Sequence, residues 1–221
     1  MRVLDRSVPF LLVIAALMLF RAPFLVEAAP IESVMGVVQK IFYYHVPSAA
    51  MTFLAAFVCG ISSALYLFRR GPLADQIAIS AAELVVVFGS IVLVTGPLWA
   101  RKAWGVWWVW DVRLTTMLIM WMVFVAYLLL RRFGGPGSDV LGAAVGVFGT
   151  ALVPFVYVSV KYWRTQHPDA TVVSTLPPEM ASPFRWAMIS FLFFFVPLLI
   201  TRIRLERSRA ALETAHVALE D

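Results

Sequence analysis

The sequence predicts an all-α integral membrane protein of six transmembrane helices, with both termini cytoplasmic. Three observations carry this. The 221-residue chain is 62% hydrophobic and only 14% charged, whereas soluble proteins carry about 25% charged residues. Its mean hydropathy is +0.86. Six apolar runs, at roughly 8–26, 49–68, 77–98, 114–130, 140–160 and 186–201, reach or approach the length that crosses a bilayer. Too little polar surface remains to cover a water-soluble globule, and small secreted and disordered classes fall with it.

Backbone groups in hydrocarbon must be satisfied within their own segment, so solid runs of this kind are helices. Alternating barrel strands would not produce them. The first span follows Arg2 and Arg6 and resembles a signal peptide from Val8 to Phe20, with Ala28 and Ala29 beyond. Arg21, Pro23 and Glu27 interrupt that pattern, so a retained helix is expected, Arg21 snorkelling to the interface. The second span ends at Arg69-Arg70-Gly71-Pro72 and the fourth at Arg131-Arg132-Phe133-Gly134-Gly135-Pro136. Within the third, Glu83 is expected to be a neutral, hydrogen-bonded structural carboxyl, with a subunit contact as the competing role. Gly142 and Gly146 in the fifth make a GxxxG spacing that predicts a close helix contact. Pro154 and Pro197 are candidate kinks. The chain divides into a six-helix membrane domain, 1–204, and a short polar cytoplasmic tail, 205–221, expected to be a solvated helix.

Six helices place both termini on one side. The segments on that side hold ten Lys/Arg in 44 residues, against seven in 62 on the other. The denser side is cytoplasmic by the positive-inside rule. Segments 27–48, 99–113 and 161–185 therefore face outward, and function is sought there. The same placement beside apolar runs explains the pI of about 9.7 without a nucleic-acid partner. Cys59 is the single cysteine, so no disulfide within the chain and no CxxC motif is possible.

Five of the eight tryptophans fall between residues 99 and 110, in the external segment between helices 3 and 4. An interfacial aromatic belt is one explanation, although belt residues are usually scattered among several helix ends. On a helix, Trp104, Trp107, Trp108 and Asp111 would share one face, i, i+3, i+4 and i+7, as an indole shelf suited to a large planar ligand. His45 and His167 lie on the same outer side, in Phe42-Tyr43-Tyr44-His45-Val46-Pro47-Ser48 and Tyr162-Trp163-Arg164-Thr165-Gln166-His167-Pro168. Singly, either is a surface hydrogen-bonding residue. Together with the indoles they suit a planar metal chelate such as haem, whose iron accepts axial histidines. Lys40, Arg101, Lys102 and Arg113 are candidates for the propionates, headgroup contact being the alternative. His216, in the tail, has no such company and is expected at the surface.

Trp104-Gly105-Val106-Trp107-Trp108-Val109-Trp110-Asp111 fits the WGxWWxWD signature of the haem-handling membrane proteins of c-type cytochrome biogenesis. With six spans and this length, the chain resembles the haem exporter protein C (CcmC) family rather than the larger haem lyase subunit. The resemblance covers nearly the whole chain, including Ser182-Pro183-Phe184-Arg185-Trp186 before the last span. It implies that His45 and His167 are the axial ligands of haem iron. It also implies that Trp104, Gly105, Trp107, Trp108, Trp110 and Asp111 form the haem-binding signature, flanked by Trp99 and Arg113. Lys40 stands where relatives usually carry arginine, and lysine keeps the charge but loses the planar fork.

The role so implied is not enzymatic. The chain would bind haem b, non-covalently and transiently, on the periplasmic side of the bacterial inner membrane. It would deliver the haem to the chaperone CcmE, in a membrane complex with CcmA, CcmB and CcmD. No GxxxxGK[ST] phosphate loop is present, so nucleotide hydrolysis would fall to another subunit. Two alternatives stand beside this: a membrane electron-transfer haem protein, disfavoured because none of the six apolar runs contains a histidine, and a haem or small-molecule transporter, which would show more polar or broken helices near the midplane.

Overall fold

A computed structural model describes residues 2–168 and 170–220. It contains six long helices: α1 (Arg2–Ala28), α2 (Phe42–Arg69), α3 (Pro72–Trp104), α4 (Val112–Phe133), α5 (Ser138–Tyr162) and α6 (Pro178–Glu220). A short 3-10 turn, Val37–Ile41, leads directly into α2, and a second occupies Ala170–Val173. All six helices are long and apolar enough to cross a membrane.

The helices run beyond the apolar stretches that predict them, because charged and polar ends continue the helix into the interface. The largest extension is α6. The polar segment after Arg204 is not a separate element but continues the last span as one helix to Glu220. From Ser208 onward its described side chains are almost all exposed, His216 among them.

The centre of the bundle is α2, packed against α3, α5 and α6; α4 packs on α3 and α5, while α1 packs on α6. Lipid offers no hydrophobic drive between helices, so close approach depends on small residues. A Cβ on Gly60 of α2 would stand 2.3 Å from Thr150 Oγ1 of α5, and one on Gly146 would stand 2.5 Å from Ser63 Oγ. The GxxxG pair does mark close packing, but toward two partners: Gly146 meets α2, whereas Gly142 meets Arg131 and Tyr127 of α4. On α3, Gly89 makes room for Trp121, whose Nε1 donates to the Val86 carbonyl and Ser90 Oγ, each at 3.1 Å. Pro154 and Pro197 lie within unbroken helices.

Successive helices run in opposite directions, which gathers two sets of ends. At one, Arg131 donates to Asp75 at 2.5 Å, the Tyr66 hydroxyl donates to Asp139, and Arg202 makes a two-pronged pair with Glu83 while also holding Glu206 at 3.0 Å. Glu83 is hydrogen-bonded, as expected, and its partner is a cation. Its partner comes from α6, 119 residues away, beyond the reach of sequence spacing. At the other set of ends lie both candidate histidines and the tryptophan cluster.

Candidate functional site

The tryptophan segment is not a helix. α3 stops at Trp104, where Gly105 takes φ +77° and the Arg101 guanidinium donates to the Gly105 carbonyl. Positive φ is readily available to glycine alone, so the turn falls at this residue. α4 begins only after Asp111, whose side chain caps it through the Leu114 N–H at 2.8 Å. Residues 106–110 thus form an irregular loop, and the single indole face expected from helical spacing does not form. The loop sorts its rings instead. Trp108 turns inward with Trp104 and, from the last turns of α3, Trp99. Trp107 and Trp110 point out, 57% and 75% exposed. Arg101 lies 6.0 Å over the Trp107 ring, and Trp110 meets Trp108 edge-on at 5.8 Å.

The inward rings line a pocket of about 720 Å³, its mouth included, together with His45, His167, Arg113, Gly96, Met117 and Val156 among others. Its lining is mostly apolar with a few placed polar groups, as in small-molecule sites generally. The two imidazole rings face the same space, with centroids 6.4 Å apart and planes inclined by 38°. They reach it differently. His45 is not in a loop but in the first turn of α2, 7% exposed, because the 3-10 turn before it feeds straight into the helix. His167 lies in the segment between α5 and α6, which brings it back over the pocket.

That segment is tied to the tryptophan loop. Asp111 accepts the Thr165 hydroxyl and, at 3.3 Å, the Gln166 N–H. Thr165 Oγ1 in turn accepts the His167 N–H at 3.1 Å. The ring itself donates from Nδ1 to the Pro168 carbonyl at 2.8 Å. Burial, reinforced by the nearby Arg113 guanidinium, pushes His167 down to about 4 despite the opposing pull of Pro168 and Asp111. The imidazole is therefore neutral at physiological pH, the form that binds metals.

The basic candidates separate. Arg113 lines the pocket and reaches the carbonyls of Val156 and Tyr157 at 3.3 and 3.4 Å. Arg101 closes the end of α3. Lys102 is exposed. Lys40 is turned away toward α1, its Nζ donating to the Glu27 carbonyl at 2.6 Å and lying 3.4 Å from the Glu27 carboxylate. Asp111 and Gly105 shape the loop rather than line the pocket. Sequence reasoning missed Gly96, which lines the pocket, and two hydroxyls that touch the histidine residues: Thr165, and Thr95, whose Oγ1 lies 2.8 Å from His45 Nδ1. The available signals were a hydroxyl two residues before His167 and another one helical turn before Trp99.

Residues 1–218 match the family model described as heme exporter protein C. The chain is 31% identical over 183 residues to heme exporter protein C of Escherichia coli strain K12, covering 80% of this chain and 73% of that protein. It is 32% identical over 207 residues to heme exporter protein C of Bradyrhizobium diazoefficiens, covering 91% and 79%. With the Paracoccus denitrificans protein of the same name it shares 30% over 190 residues, covering 83% and 79%. A match over nearly the full length, on a six-helix apolar chain, places this protein in the heme exporter protein C family of cytochrome c biogenesis.

Proposed function

We propose that this chain binds haem b, non-covalently and transiently, at the periplasmic face of the bacterial inner membrane and delivers it to the chaperone CcmE during c-type cytochrome maturation. The observation that carries this reading is the pairing of His45 and His167 across one apolar, tryptophan-lined pocket. Metal–imidazole nitrogen distances are about 2.0–2.1 Å, so two rings sharing one metal atom have centroids about 6 Å apart. The 6.4 Å separation suits a single iron between them.

The rest of the pocket suits the same substrate. Trp99, Trp104 and Trp108 offer apolar area to a porphyrin face or edge. The Trp108 Nε1 is buried with no hydrogen-bond partner among the described residues, a donor available to a ligand acceptor. Arg113 supplies positive charge at the pocket wall, suited to a propionate.

Haem is cargo here, and the chain's task is to hold and orient it. His45 and His167 fix the iron, the inward indoles support the macrocycle, and the pocket's open side leaves an edge within reach of a partner. The covalent chemistry belongs to CcmE, and nucleotide hydrolysis in a complex with CcmA, CcmB and CcmD belongs to the ATP-binding CcmA. The lower density of Lys/Arg in the segments at the pocket end favours the periplasmic side.

Absorption spectra of the purified protein with and without added haem test the reading. The wild type should give a Soret band of six-coordinate haem, and the His45→Ala/His167→Ala variant should lose it. Delivery to CcmE should fail in that variant at normal protein levels. An unchanged Soret band in the double variant would overturn the assignment.

A further inference from the structure

His45 is one of few polar side chains buried in the bundle, and α3 holds its ring on several sides. Nδ1 lies 2.8 Å from Thr95 Oγ1. Trp99 meets the ring edge-on at 5.8 Å. Gly96 faces Cε1, and a Cβ there would stand 3.4 Å from that atom. Thr95, Gly96 and Trp99 lie within about one turn of α3, so a single patch of that helix forms the seat of this histidine.

The hydroxyl determines which nitrogen carries the proton. Thr95 Oγ1 lies 2.6 Å from the Ile91 carbonyl oxygen, which can only accept. The single hydroxyl proton is given there, leaving only lone pairs toward His45. Nδ1 is therefore the donor, and the neutral ring keeps its unshared pair on Nε2. His167 arrives at the same tautomer through the Pro168 carbonyl.

We infer that Thr95 is a positioning residue for the haem ligand His45: it fixes the Nδ1–H tautomer and the ring angle, so that Nε2 is presented to the iron. This rests on the haem-binding reading above. Thr95 acts only through His45 and is not itself part of the pocket wall. Metal-binding histidines generally donate their second N–H to such a partner, and removing it typically costs about 10–100-fold in metal affinity. A neutral hydroxyl acceptor also adds less electron density to the ring than a carboxylate would, which suits a ligand that must later let go.

The test is a haem titration of the purified full-length protein, followed by absorbance and by electron paramagnetic resonance of the ferric form. Wild type is compared with Thr95→Val, Thr95→Ser and Thr116→Val. Thr116 makes the same bond to the carbonyl four residues earlier, Val112 at 2.6 Å, but faces no histidine. Thr95→Val should bind haem about 10–100-fold more weakly with a shifted low-spin signal. Thr95→Ser should retain wild-type affinity and signal, and Thr116→Val should be unchanged. Wild-type affinity and spectrum in Thr95→Val overturn the assignment, as does equal weakening in Thr95→Ser or Thr116→Val. If the wild type itself takes up no haem, the haem reading falls and the Thr95 role with it.

Discussion

Asp111 and Thr165 clasp the two loops of the site together. One Asp111 oxygen caps α4 through Leu114 while the other accepts the Thr165 hydroxyl, which in turn holds the His167 backbone. The last residue of the tryptophan signature thus acts on the histidine loop as well as on its own helix. Asp111→Asn separates the two duties. Its amide oxygen can still accept the Leu114 N–H, but the amide nitrogen cannot accept from the Gln166 N–H and can meet Thr165 only by donating to its hydroxyl, which reverses that bond. Haem affinity should fall about tenfold, as for other groups that support a ligand, with little change in thermal stability. Asp111→Ala should add about 1 kcal/mol of destabilisation from the lost cap. Calorimetric unfolding beside a haem titration distinguishes the two losses.

The inward and outward tryptophans should behave differently. Trp108 lines the pocket and Trp110 is 75% exposed. Trp108→Ala should weaken haem binding at least tenfold, since burying an aromatic side chain contributes about 1.5–3 kcal/mol. Trp110→Ala should leave haem affinity within about threefold of wild type, removing little buried area. Equilibrium titration of both variants decides, and equal losses would contradict the sorting of rings by the loop.

At the far end of the bundle, Arg131 and Asp75 form a largely buried pair, their side chains 13% and 19% exposed. Removing one partner strands the other, at a cost of about 3–5 kcal/mol. Asp75→Ala should lower the unfolding midpoint sharply without altering the haem spectrum. Asp75→Leu/Arg131→Met, which removes both charges, should recover most of the loss.

Acidification should weaken the folded state through His167. Its folded value is about 4, against about 6.5 in an unfolded chain. Above pH 6.5 both states are neutral and the group has no effect. As pH falls from 6.5 to 4 the unfolded chain gains a proton that the folded site resists, so stability drops, by something on the order of 3 kcal/mol, and levels off below 4. Thermal midpoints of the haem-free protein across this range should show the slope, and His167→Gln should flatten part of it.

Much of the fold is legible in the sequence because bilayer crossing leaves a strong local signal: six apolar runs gave six helices. Of the candidate site, the sequence offers residue types. His45, His167, Trp99, Trp104, Trp108 and Arg113 do meet around one pocket. What spacing does not carry is local backbone choice and distant pairing. A helical period for Trp104 to Asp111 ignores the glycine at 105, whose positive φ ends α3. Lys40 reads as a propionate partner until Glu27 of α1 takes it. Glu83 reads as hydrogen-bonded to a partner that spacing does not name, and Arg202 of the last helix supplies it. In each case the deciding contact is either a single dihedral angle or a residue far along the chain, and neither imprints a periodicity.

The uninterrupted course of α6 has a practical consequence. A helix of 43 residues is about 65 Å long at 1.5 Å per residue, roughly twice the hydrocarbon thickness. Its exposed final stretch, 211–219, extends past the packed part of the bundle on the side away from the pocket that His45 and His167 line. A fluorophore or reporter attached to this stretch would sit far from the pocket, making it the natural handle for watching the protein without touching its work.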